Sequence, residues 1–323
     1  MKIRNILILI GSCVALTAAS LWMGEQAYTW FPPQAAAESK LIDELFSFLV
    51  SLGTFIFLGV TGTVTYSIIF HRAGKYDTSD GPPIEGNVTL EVVWTTIPIL
   101  LVLWIATYSY NIYAEMAIQG PMEAMHIHTM ASAHAATMES TTEPVEKIEV
   151  LAKQWAWVFR YPNQNVTSTE LHLPVNRRIS LALQSADVLH GFYIPAFRLK
   201  QDIVPKQTID FEFTPIRPGK YRLRDSQFSG TYFAAMQADV VVESTADYDQ
   251  WLKLAATHKA VPANNQAANE YAQKIKGAFT TGYPTVVPAP PPLVNFTGRG
   301  AEEQGSRGAG EQRSRGERIS TFH

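Results

Sequence analysis

LFSFLVSLGTFIFLGVTGTVTYSIIF, residues 45–70, is the stretch that sets the architecture. It carries no charge, and Asp43 and Glu44 precede it while His71, Arg72 and Lys75 follow. As an α-helix at 1.5 Å per residue it reaches roughly 39 Å, enough to cross a bilayer with some tilt. A second run, VVWTTIPILLVLWIATYSYNIY at 92–113, follows closely. Trp94 stands near one of its ends and Tyr108, Tyr110 and Tyr113 near the other, as an interfacial aromatic belt requires. Pro98 predicts a kink. Buried helices of a soluble core are the alternative, but two such runs so closely spaced favour a transmembrane hairpin over residues 41–115.

A third apolar run, Ile6 to Trp22, follows Lys2 and Arg4. A basic start, an apolar run and the small residues Ala18, Ala19 and Ser20 fit a signal peptide over 1–24 and equally a retained first helix. Ile10-Gly11-Ser12-Cys13 loosely resembles a lipoprotein cleavage box, but the apolar run continues past it, so a buried, unmodified Cys13 is expected. Lys and Arg mark the inner side of a membrane. The N-terminus and the loop with Arg72 and Lys75 are therefore inside, and everything after Tyr113 is outside. The expected location is a bacterial cytoplasmic or other energy-transducing membrane, with the C-terminal part on the periplasmic side.

Hydrophobic residues make up 46% of the 323 and charged residues 17%, an apolar balance for an ordinary soluble domain. The formal charge of −3 gives no nucleic-acid surface. Cys13 is the only cysteine, which excludes an internal disulfide and any metal site needing two thiolates from this chain.

Residues 116–144 form a linker with Met116, Met122, Met125, His126, His128, Met130, His134 and Met138. Thioethers and imidazoles suit copper, and Met125, His126, His128 and Met130 are weak candidate ligands, but the spacing is irregular and a linker is the better reading. From Val145 short β-type runs take over: Ile148–Ala152, Trp155–Phe159, Ile179–Leu183, Thr208–Phe213, Lys220–Leu223 and Met236–Val242. Pro, Gly, Asn and Asp punctuate them, which predicts an all-β sandwich or barrel over 145–245. Residues 246–283 read as a helical extension. Residues 284–323 read as a Pro-rich and then disordered tail, with an imperfect repeat, EQGSRGAG at 303–310 and EQRSRGER at 311–318.

Several ordered motifs over residues 40–245 together resemble the cytochrome c oxidase subunit II family. LEVVWTTIP at 90–98 looks like the start of that family's second helix. QWAWVF at 154–159 resembles its aromatic strand. DVLHGFYIP at 187–195 with RLKQD at 198–202 resembles the segment bearing its first copper histidine, and RDSQFSGTYFAAM at 224–236 its copper loop. The resemblance implies an α+β membrane protein: the helix hairpin, preceded by a signal or third helix, plus an all-β cupredoxin-like sandwich.

The family takes electrons from cytochrome c at a binuclear copper centre, CuA, held by two cysteines, two histidines, one methionine and a backbone carbonyl. The matching positions here are His190, Asp225, Gln227 for the carbonyl, Ser229, Phe233 and Met236. Both cysteines and one histidine are missing. Thiolates hold such a pair together, and a mononuclear blue-copper site needs one too. The expectation is therefore no cofactor on this chain, with His190 and Met236 now structural. Trp155 and Trp157 match the family's electron-entry aromatics and read here as core or partner-facing residues. Gln227 keeps an oxygen but lacks the charge of the family's glutamate, which also helps bind magnesium, so that site is not expected either. Glu91 matches a carboxylate at the mouth of a proton pathway; a helix N-terminal acid stabilised by the dipole is the competing reading.

By this resemblance the chain is subunit II of a haem-copper terminal oxidase that takes electrons from quinol, reduces oxygen to water and translocates protons. Haems and CuB would lie in a partner subunit I, with a subunit III beside it. The alternatives are a cytochrome c or small-copper-protein oxidase with altered electron entry, and a non-catalytic copper-handling or assembly protein supported only by the Met/His linker.

Overall fold

The computed structural model describes residues 3–72, 74, 76, 86–115, 145–275 and 286–297. The linker candidates Met125, His126, His128 and Met130 and the C-terminal repeat lie outside the described residues. The chain divides into two units: residues 1–32 with 40–117, and 33–39 with 118–323.

The first unit holds α1 (Ile3–Ala27), α2 (Ala37–Phe70) and α3 (Val88–Glu115). All three are long and apolar enough to cross a membrane. Hydrocarbon offers backbone groups no water, so a spanning segment must satisfy them internally, and a helix does so. Side-chain hydroxyls follow the same rule. Thr17 donates to the Cys13 carbonyl at 2.9 Å, Thr63 to Gly59 at 2.9 Å and Thr107 to Leu103 at 2.9 Å. Between α1 and α2, Ser47 Oγ donates to the Gly24 carbonyl at 2.9 Å. A Cβ at Gly24 would lie 2.8 Å from the Ser47 carbonyl oxygen, so glycine permits this approach. Phe48 joins α2 to α3 through edge contacts with Trp104 at 4.9 Å and Tyr108 at 5.6 Å. Pro98 sits inside α3. Contrary to expectation, Cys13 is exposed. It lies on the flank of a membrane helix, where an apolar medium takes the place of a protein interior.

The second unit is a sandwich of two five-stranded sheets. Its strands are β1 (Glu146–Lys153), β2 (Ala156–Tyr161), β3 (Val166–Ser168), β4 (Leu171–Pro174), β5 (Ile179–Ser185), β6 (His190–Ile194), β7 (Leu199–Ile203), β8 (Thr208–Phe213), β9 (Gly219–Asp225) and β10 (Gln237–Glu243). The sheet orders are β3-β2-β1-β5-β8 and β4-β10-β9-β6-β7. β1 runs parallel to β5 and β10 parallel to β4; the other pairs are antiparallel. Inward-facing residues such as Val150, Phe159, Leu181, Phe211, Leu223 and Val240 fill the space between the sheets. Strands β3, β4, β6 and β7 were not among the runs picked out from sequence.

Two further pieces complete this unit. Residues 33–39 bond to it: the Ala35 N–H donates to Ala196 at 3.1 Å, the Ile216 N–H to Ala35 at 2.9 Å and the Ala37 N–H to Thr214 at 2.9 Å. Glu38, buried, accepts from Arg178 at 2.7 Å and from the Thr214 N–H at 3.1 Å. After β10, the expected single helical stretch is two helices, α4 (Thr245–Thr257) and α5 (Gln266–Ile275), separated by β11 (Val261–Pro262). Ser244 caps α4, its Oγ accepting the Asp247 N–H at 3.1 Å. β12 (Leu293–Val294) pairs with β11. Residues 286–297, read as part of a tail, are bonded to the sandwich, because Asn295 and Phe296 reach the edge strand β3 through Thr167.

His172 ties these additions down. Its ring stacks on Trp251 of α4 at 3.8 Å, and Phe296 meets it edge-on at 5.4 Å. Nδ1 lies 2.8 Å from Glu243 and Nε2 3.5 Å from Glu170. Burial alone would lower its pKa, but the two carboxylates outweigh this and hold it above the ordinary histidine value. A raised folded-state pKa contributes stability that is complete below the unfolded value, about 6.5, and is lost as pH rises through the folded value. His172→Phe is therefore expected to flatten the fall in stability of the full-length chain above neutral pH. Denaturant midpoints measured from about pH 6 to 9 check this.

Candidate functional site

Three connections meet at one end of the sandwich: the β1–β2 turn, the loop before β6, and the loop from β9 to β10. Asp225 ends β9 with its side chain buried, and its carboxylate accepts four hydrogen bonds. Oδ1 takes the Gly191 N–H at 2.7 Å and the Gln227 N–H at 3.0 Å. Oδ2 takes Ser229 Oγ at 2.8 Å and faces His190 Nδ1 at 2.7 Å. The other ring nitrogen of His190, Nε2, lies 2.9 Å from Asp187 Oδ1. Asp187 Oδ2 accepts the Gln154 N–H at 2.7 Å, and Gln154 Nε2 donates to the Ser229 carbonyl at 2.6 Å.

An imidazole set between two carboxylates donates from both nitrogens only in its protonated form, which this setting favours. Burial pushes the His190 pKa down, but the hydrogen bonds to Asp187 and Asp225 prevail and raise it. Burial likewise pushes Asp187 up, and the bonds from His190, Gln154 and Val188 hold it below the usual carboxylate range.

Of the six positions predicted from sequence, His190, Asp225 and Ser229 come together. Gln227 turns away, its Nε2 donating to both oxygens of Asp202 at 2.9 Å. Phe233 packs edge-on against the exposed Phe228 at 5.2 Å. Met236 is buried in the core, and its carbonyl accepts Trp157 Nε1 at 3.2 Å. Trp155 and Trp157 are both buried, and Trp155 Nε1 donates to the Ser229 carbonyl at 3.2 Å. Sequence reading missed Asp187 and Gln154 as parts of this site. The one available signal was Asp187 three residues before His190 in a turn. Glu91 is exposed in the first turn of α3, where Asn87 Oδ1 accepts the Leu90 N–H at 3.1 Å.

Membrane helices joined to a mixed two-sheet sandwich, with His190 and the 225–236 loop at one end, define a membrane-anchored cupredoxin-like module. Residues 22–112 match the family description "Cytochrome C oxidase subunit II, transmembrane domain", and residues 163–245 match "Cytochrome C oxidase subunit II, periplasmic domain". Cytochrome c oxidase subunit 2 of Synechocystis sp. is 32% identical over 83% of this chain and 87% of its own length. Quinol oxidase subunit 2 of Bacillus subtilis is 31% identical over 68% of this chain and 63% of its own. Among solved structures, the periplasmic domain of subunit II of cytochrome oxidase of Bradyrhizobium japonicum aligns at 25% identity and a TM-score of 0.32, covering 33% of this chain and 90% of that one. The chain belongs to the cytochrome c oxidase subunit II family. It is a membrane-bound subunit of a haem-copper oxidase, with its C-terminal domain on the outer side.

The side chains at the family's copper positions do not fit a thiolate-bridged copper pair. Asp225 and Ser229 offer hard oxygens and Phe233 offers no donor. Both nitrogens of His190 are engaged by carboxylates, and Cys13 lies in α1.

Gly230 shapes this end as well. It has φ +115°, and a Cβ there would lie 2.7 Å from the Trp155 ring. Gly230→Ala combines backbone strain with a clash, and about 1–3 kcal/mol of stability should be lost. Thermal unfolding should move down and tryptophan emission to the red, since Trp155 must shift.

Proposed function

We propose that this subunit II carries no CuA and serves an oxidase whose electrons come from quinol. The observation that carries the reading is the residue set at positions 225, 229 and 233, where Asp, Ser and Phe stand in place of two thiolates and an imidazole. Without a copper pair in the outer domain, a membrane quinol delivering directly to the catalytic subunit is the simplest entry. That subunit I would hold the haems and CuB, a subunit III would complete the assembly, and this chain would anchor and dock. The resemblance to quinol oxidase subunit 2 of Bacillus subtilis supports this. The slightly higher identity to a cytochrome c oxidase subunit 2 favours the alternative, a cytochrome c oxidase with altered electron entry.

Purified oxidase complex decides between them. Metal analysis should find no copper beyond that of the catalytic subunit, and oxygen uptake should run with quinol. Two extra coppers per complex, or turnover with reduced cytochrome c alone, would overturn the reading.

Glu91 is proposed as a proton-entry group. A carboxylate at the inner membrane boundary can collect protons and pass them into the oxidase. Glu91→Ala should slow proton uptake by roughly tenfold or more if it acts as a relay. Unchanged turnover and pumping would leave only the helix-terminal role.

A further inference from the structure

The copper-loop positions are not merely vacated. They are occupied by a network in which each carboxylate oxygen accepts and both nitrogens of the buried imidazole face an acceptor. We propose that Asp187–His190–Asp225–Ser229 is a metal-free cross-link that does the mechanical work of the missing copper pair, so that the outer domain reaches its final loop geometry without metal. This rests on the copper-free reading of the subunit.

The geometry supports a cross-link rather than a chance contact. A metal at this end would join the segment of His190 to the loop of residues 225–236. Here the His190–Asp225 contact at 2.7 Å makes the same join. Asp225 also binds the backbone on both sides of it, at Gly191 and Gln227. The Ser226 N–H donates to the Gly191 carbonyl at 3.0 Å, running beside the side-chain link. A Cβ at Gly191 would collide with Ser226 Oγ and would lie 3.0 Å from the Gln227 nitrogen, so glycine lets the two segments close on each other. Asp187 carries the link to the third connection through Gln154, and Gln154 returns to Ser229. The circuit joins all three connections and closes on itself. Its central side chains, His190 and Asp225, have no exposed surface. A buried charge left without its partner is strongly destabilising, so each member depends on the others.

The test uses the full-length chain in detergent, produced with and without added copper, and a set of variants. The wild type should unfold at the same temperature in both preparations and in the presence of a chelator. His190→Gln and Asp225→Asn should each lower the midpoint by on the order of 10 °C. The double variant should lose clearly less than the sum, because the second change finds the pair already broken. Asp187→Asn, a milder change at a partly exposed residue, covers the case in which the buried variants fail to fold. It should speed amide exchange across residues 186–191 and 226–232 by about tenfold and leave the β1–β5–β8 strands unchanged.

Two bound coppers per chain, with stability lost to chelator, would overturn the copper-free reading and the cross-link together. A copper-free chain whose variants melt like the wild type, lose stability additively, or leave loop exchange unchanged would overturn the cross-link alone.

Discussion

A carboxylate buried in a protein interior must be compensated in full or it destabilises the fold. Asp225 is in that position, and much of the outer domain's end is arranged by the need to satisfy it. Its four donors come from β6, from its own loop and from a serine four residues on. Bringing the Gly191 and Gln227 N–H groups to one oxygen requires the two segments to touch, and glycine at 191 allows it. Bringing Ser229 back to the other oxygen turns the loop so that its carbonyl faces Gln154 and Trp155. The buried place of Trp155, the tight turn at Gly230 and the engagement of His190 Nδ1 follow from one charge needing partners, and Asp187 takes the other nitrogen.

The membrane unit obeys the same rule in a different solvent. There the unsatisfied groups are backbone carbonyls and side-chain hydroxyls, and hydrocarbon supplies no partner. Thr17, Thr63 and Thr107 turn back to their own helices, and Ser47 spends its proton on α1. Exposed side chains such as Phe57, Ile68 and Leu103 need nothing from the protein, because lipid is as apolar as they are.

This difference explains what could be read from the chain. The helices were legible because hydropathy over one continuous segment decides them. β1, β5 and β8 were legible because half-buried strands alternate. β4 is buried along its whole length and β6 nearly so, and a short run without alternation carries no period to detect. Residues 33–39 were opaque for another reason: apart from Glu38, the alanine-rich segment joins the sandwich through backbone hydrogen bonds, which residue identity does not encode. In the site, the family's six copper positions, His190 and five in the 224–236 loop, could be placed by the resemblance. Asp187 and Gln154 could not be given their roles, because their partners, Ser229 and His190, are fixed by how three separate connections converge. The resemblance told which residues stand at the family's ligand positions, and only the fold tells what those residues bind.

Overall identity is a weak guide to the electron donor here. Values of 32% to a cytochrome c oxidase subunit and 31% to a quinol oxidase subunit average over every position that maintains the shared fold. A metal centre depends on a handful of positions, and it depends on them jointly, since a bridged pair cannot be held by the ligands that remain after both bridges are gone. Three substitutions at those positions therefore weigh more on the donor question than many matches elsewhere. The new residues are also mutually consistent. Asp225 alone would be a buried charge, and Ser229 alone a buried hydroxyl; together with His190 and Asp187 each satisfies the others. The loop's geometry is therefore held by hydrogen-bonded oxygen at positions where the family has soft thiolate.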